Sequence, residues 1–105
     1  MGTQFEQVSI GKKATIARDG QCVSYDLDFP GRTRKMLGVV LRDTVPFHAE
    51  VPEVMEIVAG RCRVRMGGSA EWATYEPGQR FAVGPHMRFE LQALEPVHFV
   101  CHLSG

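Results

Sequence analysis

The chain has 105 residues, enough for one hydrophobic core and too few for a second independent one. Its 44% of hydrophobic residues fits a folded globule and excludes a disordered chain. Twelve basic and twelve acidic side chains cancel, which removes the electrostatic reason to expect nucleic acid or an anionic membrane as partner.

The opening "MGTQFEQVSIGKK" contains no apolar core of signal-peptide length, and it lacks the Ser/Thr at the sixth residue that myristoylation prefers. No apolar run approaches the roughly 20 residues that a bilayer span needs. The expected compartment is the cytoplasm. Period-two alternation then dominates. In "QCVSYDLDF" (21–29), Val23, Tyr25, Leu27 and Phe29 form one apolar face, against Ser24, Asp26 and Asp28. In "RCRVRM" (61–66), Cys62, Val64 and Met66 alternate with arginines. In "RFELQAL" (88–94) the apolar set is Phe89, Leu91 and Ala93, and in "HFVCHL" (98–103) it is Phe99, Cys101 and Leu103.

These segments read as half-buried strands. Breakers punctuate them at "DG" (19–20), "PG" (30–31), "GG" (67–68), "PG" (77–78) and "GP" (84–85). Roughly nine or ten short strands separated by turns predict an all-β sandwich or barrel. Closing the sheet on itself removes its edges economically in so short a chain. Cys22, Cys62 and Cys101 form no CxxC pair and are expected to be free, buried thiols.

"HAEVPEVMEIVAG" (48–60) has the outline of half a metal motif found in small β-barrels of the cupin class: His-x-His, three or four residues, Glu, six residues, Gly. Glu53 and Gly60 have the required separation. The histidine positions then fall on Phe47 and Ala49, or on Pro46 and His48, so one histidine at most is present. In the second half, "GQRFAVGPHMRF" (78–89), Phe89 takes the ligand position and His86 falls where the motif has glycine. Only His48 and Glu53 remain as candidate ligands, whereas a catalytic site normally has three protein ligands and an open position. No metal is expected. His98 and His102 lie two pleats apart on a strand, roughly 13 Å, which is too far for one ion.

"RKMLGVVL" (34–41), "VPEVMEIVAG" (51–60), "EWATYEPGQRFAV" (71–83), "RFELQALEP" (88–96) and "VCHL" (100–103) together resemble the pyrimidine/purine nucleoside phosphorylase family, in register along nearly the whole chain. "SIGKKATIARDGQCVSYDLDF" (9–29) fits that family's opening strands. The resemblance implies a single cupin-like β-barrel of the double-stranded β-helix or jelly-roll type over residues 1–105. It also implies phosphorolysis of ribonucleosides to free base and ribose 1-phosphate, with phosphate as co-substrate, no cofactor, and a homodimer. Met36 replaces the threonine that the family carries after its "RK" pair. Phe47-His48-Ala49 replaces Phe-Gly-Thr, and Val83-Gly84-Pro85-His86 stands where the family often has a "VPA" or "VPG" turn followed by a polar residue.

That chemistry needs a cationic or N–H cradle for phosphate, a carboxylate near the developing oxocarbenium ion, and a seat for the departing base. Arg34 and Lys35 are the phosphate candidates, although neighbours on a strand point to opposite faces. Glu53, at the inward-facing cupin position, is the catalytic candidate. Phe47 and Phe89 are candidate base-stacking rings. Tyr25 offers a hydroxyl, as does Tyr75 near a turn, while His48 and His86 offer protons to the base. Two other readings remain: a metal-dependent cupin enzyme using His48 and Glu53, and a non-enzymatic barrel that binds a small molecule.

Overall fold

The computed structural model describes residues 3–104. Eleven strands and two 3-10 turns make up the regular structure of these residues. In chain order the strands are β1 (Ser9–Ile10), β2 (Thr15–Ala17), β3 (Cys22–Phe29), β4 (Thr33–Val40), β5 (Thr44–His48), β6 (Glu53–Ala59), β7 (Cys62–Met66), β8 (Ala73–Tyr75), β9 (Arg80–Val83), β10 (Arg88–Ala93) and β11 (Val97–Leu103). The larger sheet has the order β1-β3-β4-β11-β6-β9, with β2 also paired to β3. The smaller has the order β5-β10-β7-β8. Each strand pairing is antiparallel.

The alternations of β7, β10 and β11 place Cys62, Val64, Phe89, Leu91, Phe99 and Cys101 in the core between the sheets, as their sequences predict. Aromatic rings fill its centre. Phe47 stacks on Phe89 with ring centroids 5.0 Å apart. Phe99 meets Phe47 edge-on at 5.9 Å, and Phe81 meets Phe89 edge-on at 5.4 Å. Edge-to-face and offset contacts of this kind suit the ring quadrupoles. All three cysteines are free and buried. Burial pushes the Cys62 thiol up to about 11 and raises Cys22 and Cys101 as well, so none is a ready thiolate.

β3 reverses the expected arrangement. Cys22 lies opposite the buried Val40, and Ser24 lies opposite Gly38, which abuts the Phe99 ring. The polar row Ser24, Asp26, Asp28 therefore faces the interior, and Val23, Tyr25 and Leu27 face outward. Leu27 is nevertheless only 2% exposed, because Phe5, Val8 and Ile10 of the N-terminal segment gather around it on the outer side. Alternation reveals that a strand has two unlike faces; only its register against β4 decides which one meets the core.

Gly60 closes the β6–β7 turn with φ +83°. A Cβ there would stand 2.0 Å from the Pro96 carbonyl oxygen, a backbone atom. The glycine of the sequence motif is thus required by a close backbone approach as well as by the turn. Gly60→Ala is expected to destabilise the fold by roughly 2–4 kcal/mol, combining left-handed strain with overpacking. Chemical denaturation of the two proteins checks this.

Candidate active site

Strand register arranges the inner face of the larger sheet in rows. The outermost row runs Asp28, Arg34, Leu103, Glu53, Val83 across β3, β4, β11, β6 and β9. The next is Asp26, Met36, Cys101, Met55, Phe81. Ser24, Gly38 and Phe99 lie deeper. Polar groups therefore concentrate at one open end of the barrel, and apolar rings close its floor.

A cavity of about 360 Å³ occupies that open end. Arg34, Asp26, Asp28, Glu53 and Met36 border it from the larger sheet, and His48, Glu50 and Val51 from the end of β5 and the segment after it. This volume lies within the usual range for small-ligand sites.

Glu53 is a buried charged residue at 9% exposure. Burial pushes its carboxyl above the ordinary glutamate value, opposed in smaller part by a hydrogen bond from the Cys101 thiol and by the charge of His48. His48 Nδ1 lies 3.2 Å from a Glu50 carboxylate oxygen, a contact that orients the ring. Arg34 and Glu53 flank Leu103 from either side, so two strand spacings separate their backbones, about 10 Å. Among the described residues Arg34, Asp26 and Asp28 enter no side-chain ion pair. Their donors and acceptors remain available to a ligand.

Four of the expected site residues, Glu53, Arg34, His48 and Lys35, border this cavity. Arg34 is on the inward face and Lys35 on the outward one. The Lys35 ammonium lies 5.1 Å from the Phe5 ring centroid and 5.3 Å from that of Phe29. Its charge is spent on the outer surface, which leaves Arg34 as the inward cation. Tyr25 stands on the far side of the sheet, beside Leu37 and Val58. Phe89 is 1% exposed with its ring packed by Phe47 and Phe81; both phenylalanines form the floor, and neither borders the cavity.

His86 sits outside the cavity in the turn before β10, with φ +62°. Its backbone N–H donates to the Ala49 carbonyl at 2.7 Å. The left-handed backbone explains why the motif prefers glycine at that position. The sequence reading did not single out Asp26, Asp28 or Glu50. The signal for the two aspartates was their shared strand face, which was assigned to solvent.

Cupin proteins commonly hold a metal, and the donor set here does not fit one. The three positions where ligand histidines belong carry Phe47 or Pro46, Ala49 or His48, and Phe89, and Phe47 and Phe89 stack face to face. No group of three His, Cys, Asp or Glu side chains among the described residues has metal-binding geometry.

Residues 12–103 match the family described as pyrimidine/purine nucleoside phosphorylase. A pyrimidine/purine nucleoside phosphorylase of Janthinobacterium sp. (strain Marseille) is 43% identical, over 97% of this chain and 98% of the relative. The chain belongs to the pyrimidine/purine nucleoside phosphorylase family. A crystal structure of a protein of unknown function from Acinetobacter sp. ADP1 superposes with a TM-score of 0.94 at 36% identity, covering 98% of this chain and 100% of that one. An oxalate decarboxylase of Bacillus subtilis, a cupin protein, shares the fold alone: TM-score 0.67 at 16% identity, covering 85% of this chain and 27% of that one. The all-β cupin-like architecture expected from the sequence is therefore the architecture of this family member.

Two outcomes follow for the site. A carboxyl whose folded pKa is raised favours folding below the ordinary glutamate pKa and loses that contribution as pH rises through the raised value. Glu53→Gln, uncharged at every pH, is expected to gain stability relative to the parent between pH 4 and pH 7, read from denaturation midpoints. His86→Gly relieves left-handed strain at some cost in chain entropy, and is expected to raise stability by up to about 1 kcal/mol. Thermal melting of the variant beside the parent tests that change.

Proposed function

We propose that the protein is a metal-independent cytoplasmic nucleoside phosphorylase, working as a homodimer without nucleic acid or membrane partners, and that the Glu53 cavity is its active site. The observation that carries this reading is the meeting of Arg34, His48 and the buried Glu53 in one cavity, in a chain of this family. The substrates are a purine or pyrimidine ribonucleoside and inorganic phosphate.

The reaction forms a bond from a phosphate oxygen to C1′ as the C1′–N bond breaks. The electron pair of that bond leaves on the base nitrogen, which takes up a proton. Free base and ribose 1-phosphate result.

Arg34 holds the phosphate in this scheme. Its guanidinium is the inward cation at the cavity, and the planar fork suits phosphate oxygens. Glu53 lies against the sugar and stabilises positive charge developing at C1′, an effect strengthened by its shelter from water. Its carboxylate form does this work, so activity requires a pH above the raised Glu53 pKa. Asp26 and Asp28 accept hydrogen bonds from ribose hydroxyls. His48, oriented by Glu50, supplies the proton to the departing base.

The decisive experiment is release of free base from a panel of nucleosides with and without phosphate. Release that depends on phosphate and survives EDTA supports the reading. Release without phosphate, or activity lost to EDTA and restored by one metal, overturns it. In the same assay Glu53→Gln is expected to lower kcat by roughly 100-fold or more, the scale of losing one preorganised charge-stabilising group. Arg34→Ala is expected to raise the phosphate KM by roughly 10- to 100-fold, as for a lost charge-assisted hydrogen bond, with the nucleoside KM less affected.

A further inference from the structure

Strand register fixes the company that Glu53 keeps on the inner face of the larger sheet. Leu103 on β11 and Val83 on β9 lie directly opposite it, and Met55 follows it on β6. Cys101 on β11 and Phe81 on β9 are its diagonal neighbours. Diagonal positions stand about 7–8 Å apart, within reach of a long side chain. Leu103, Val83, Met55 and Phe81 have no side-chain hydrogen-bond donor; Cys101 has a thiol. The thiol in turn has one strong acceptor at hand. Cys101 is 2% exposed, and Met36 and Met55 lie opposite it on either side. A thioether accepts only weakly, so the thiol donates to the Glu53 carboxylate.

We propose that Cys101 is a positioning residue: its thiol, fixed in the core, holds the Glu53 carboxylate in the orientation that presents it to the sugar. This role rests on the reading of Glu53 as the group that stabilises charge at C1′. A thiol suits the task better than a stronger donor. A guanidinium or ammonium at position 101 would form an ion pair with Glu53 and neutralise the charge that the transition state uses. A neutral, weak donor orients the oxygens and leaves their charge in place. Burial, and after it the charge of Glu53, raise the Cys101 pKa, so the proton stays on sulfur near neutral pH and the donor persists.

A hydrogen bond to the ionised form favours that form, and so opposes the effect of burial on Glu53. His48, at the end of β5, acts in the same direction. Glu50 beyond it, and Arg34, Asp26 and Asp28 across the cavity, are the other charged groups at this end of the inner face. From β9 the side chains beside Glu53 are the buried Val83 and Phe81. Arg80 and His102 pair with Glu56 on the outer side of the sheet. Removing the thiol therefore raises the Glu53 pKa further. Since the carboxylate form is the active one, the acid limb of the kcat–pH profile moves to higher pH.

The test compares Cys101→Ala, Cys101→Val and Cys101→Ser with the parent, each checked for folding by its far-UV spectrum and melting curve. Alanine and valine both remove the donor, and valine fills more of the space, so it decides the matter if the alanine variant unfolds. Serine keeps a donor. Two readouts are taken: phosphorolysis across pH, and the titration of Glu53 by NMR of carboxyl-labelled glutamate, its signal identified by absence from Glu53→Gln. The alanine and valine variants are expected to lose roughly 10-fold in kcat, the lower end for a hydrogen bond to a charged group. Their acid limb and their Glu53 titration are expected to move upward together. Cys101→Ser is expected to recover most of the lost rate and to reverse both movements. Folded alanine and valine variants whose Glu53 titrates as in the parent overturn the proposal. So does an equal loss of rate in all three variants, which would mark a packing role alone. The titration needs no turnover, so a thiol contact without a catalytic Glu53 is told apart: Glu53→Gln would then match the parent rate while the Glu53 signal still moved in Cys101→Ala, and the positioning role would fall with the reading it rests on.

Discussion

The pairing register of β3 on β4 is the constraint on which both sides of the larger sheet depend. With Cys22 opposite Val40 and Ser24 opposite Gly38, Asp26 and Asp28 fall at the rim of the interior and Tyr25 falls outside. A slip of one residue would exchange the two rows. Two aspartates would then leave the cavity, and apolar side chains would take their place. Gly38 makes the observed register possible, because any side chain there would collide with the Phe99 ring at 2.5 Å. One small residue in the sheet thus protects the deep core and fixes which face of β3 is presented to a ligand.

The rim brings together more negative charge than positive. Asp26, Asp28, Glu50 and Glu53 border the cavity against Arg34, Lys35 and His48, and the Lys35 ammonium is drawn to the aromatic pair outside. An anion entering this space meets repulsion as well as the Arg34 guanidinium. The raised Glu53 pKa has a separate cause: burial makes its charge costly. Hydrogen bonds from sugar hydroxyls are the natural relief for carboxylates in this position. In the proposed reaction, nucleoside and phosphate therefore favour one another's binding, the sugar by satisfying the carboxylates and the phosphate by satisfying the arginine.

Much of the fold was legible because β7, β10 and β11 bury the face that their own alternation marks as apolar. Gly60 was legible as well, and its cause is local: a left-handed turn pressed against the Pro96 carbonyl. Glu53 was found from the spacing of a motif whose fold function outlives its metal. What stayed hidden depends on contacts between strands distant in sequence. Period two in β3 is the same whether its apolar row meets the core, the N-terminal segment or another molecule. Arg34 and Lys35 are chemically alike in the sequence; only Phe5 and Phe29, brought to the outer side, divide their roles. Phe47 and Phe89 are aromatic in either reading, and only their stacking on each other shows them to be floor.

That aromatic floor also sets how far a ligand can descend. Rings fill the depth where other barrels of this shape keep an ion and the room around it, and the open space is confined to the mouth. In the proposed reaction, a nucleoside seated there by its sugar keeps its base at the mouth, above the aromatic floor. A walled pocket sorts bases by outline; an unwalled one compares them by how readily each departs once protonated. Tolerance of both one-ring and two-ring bases then needs no adaptable recognition surface.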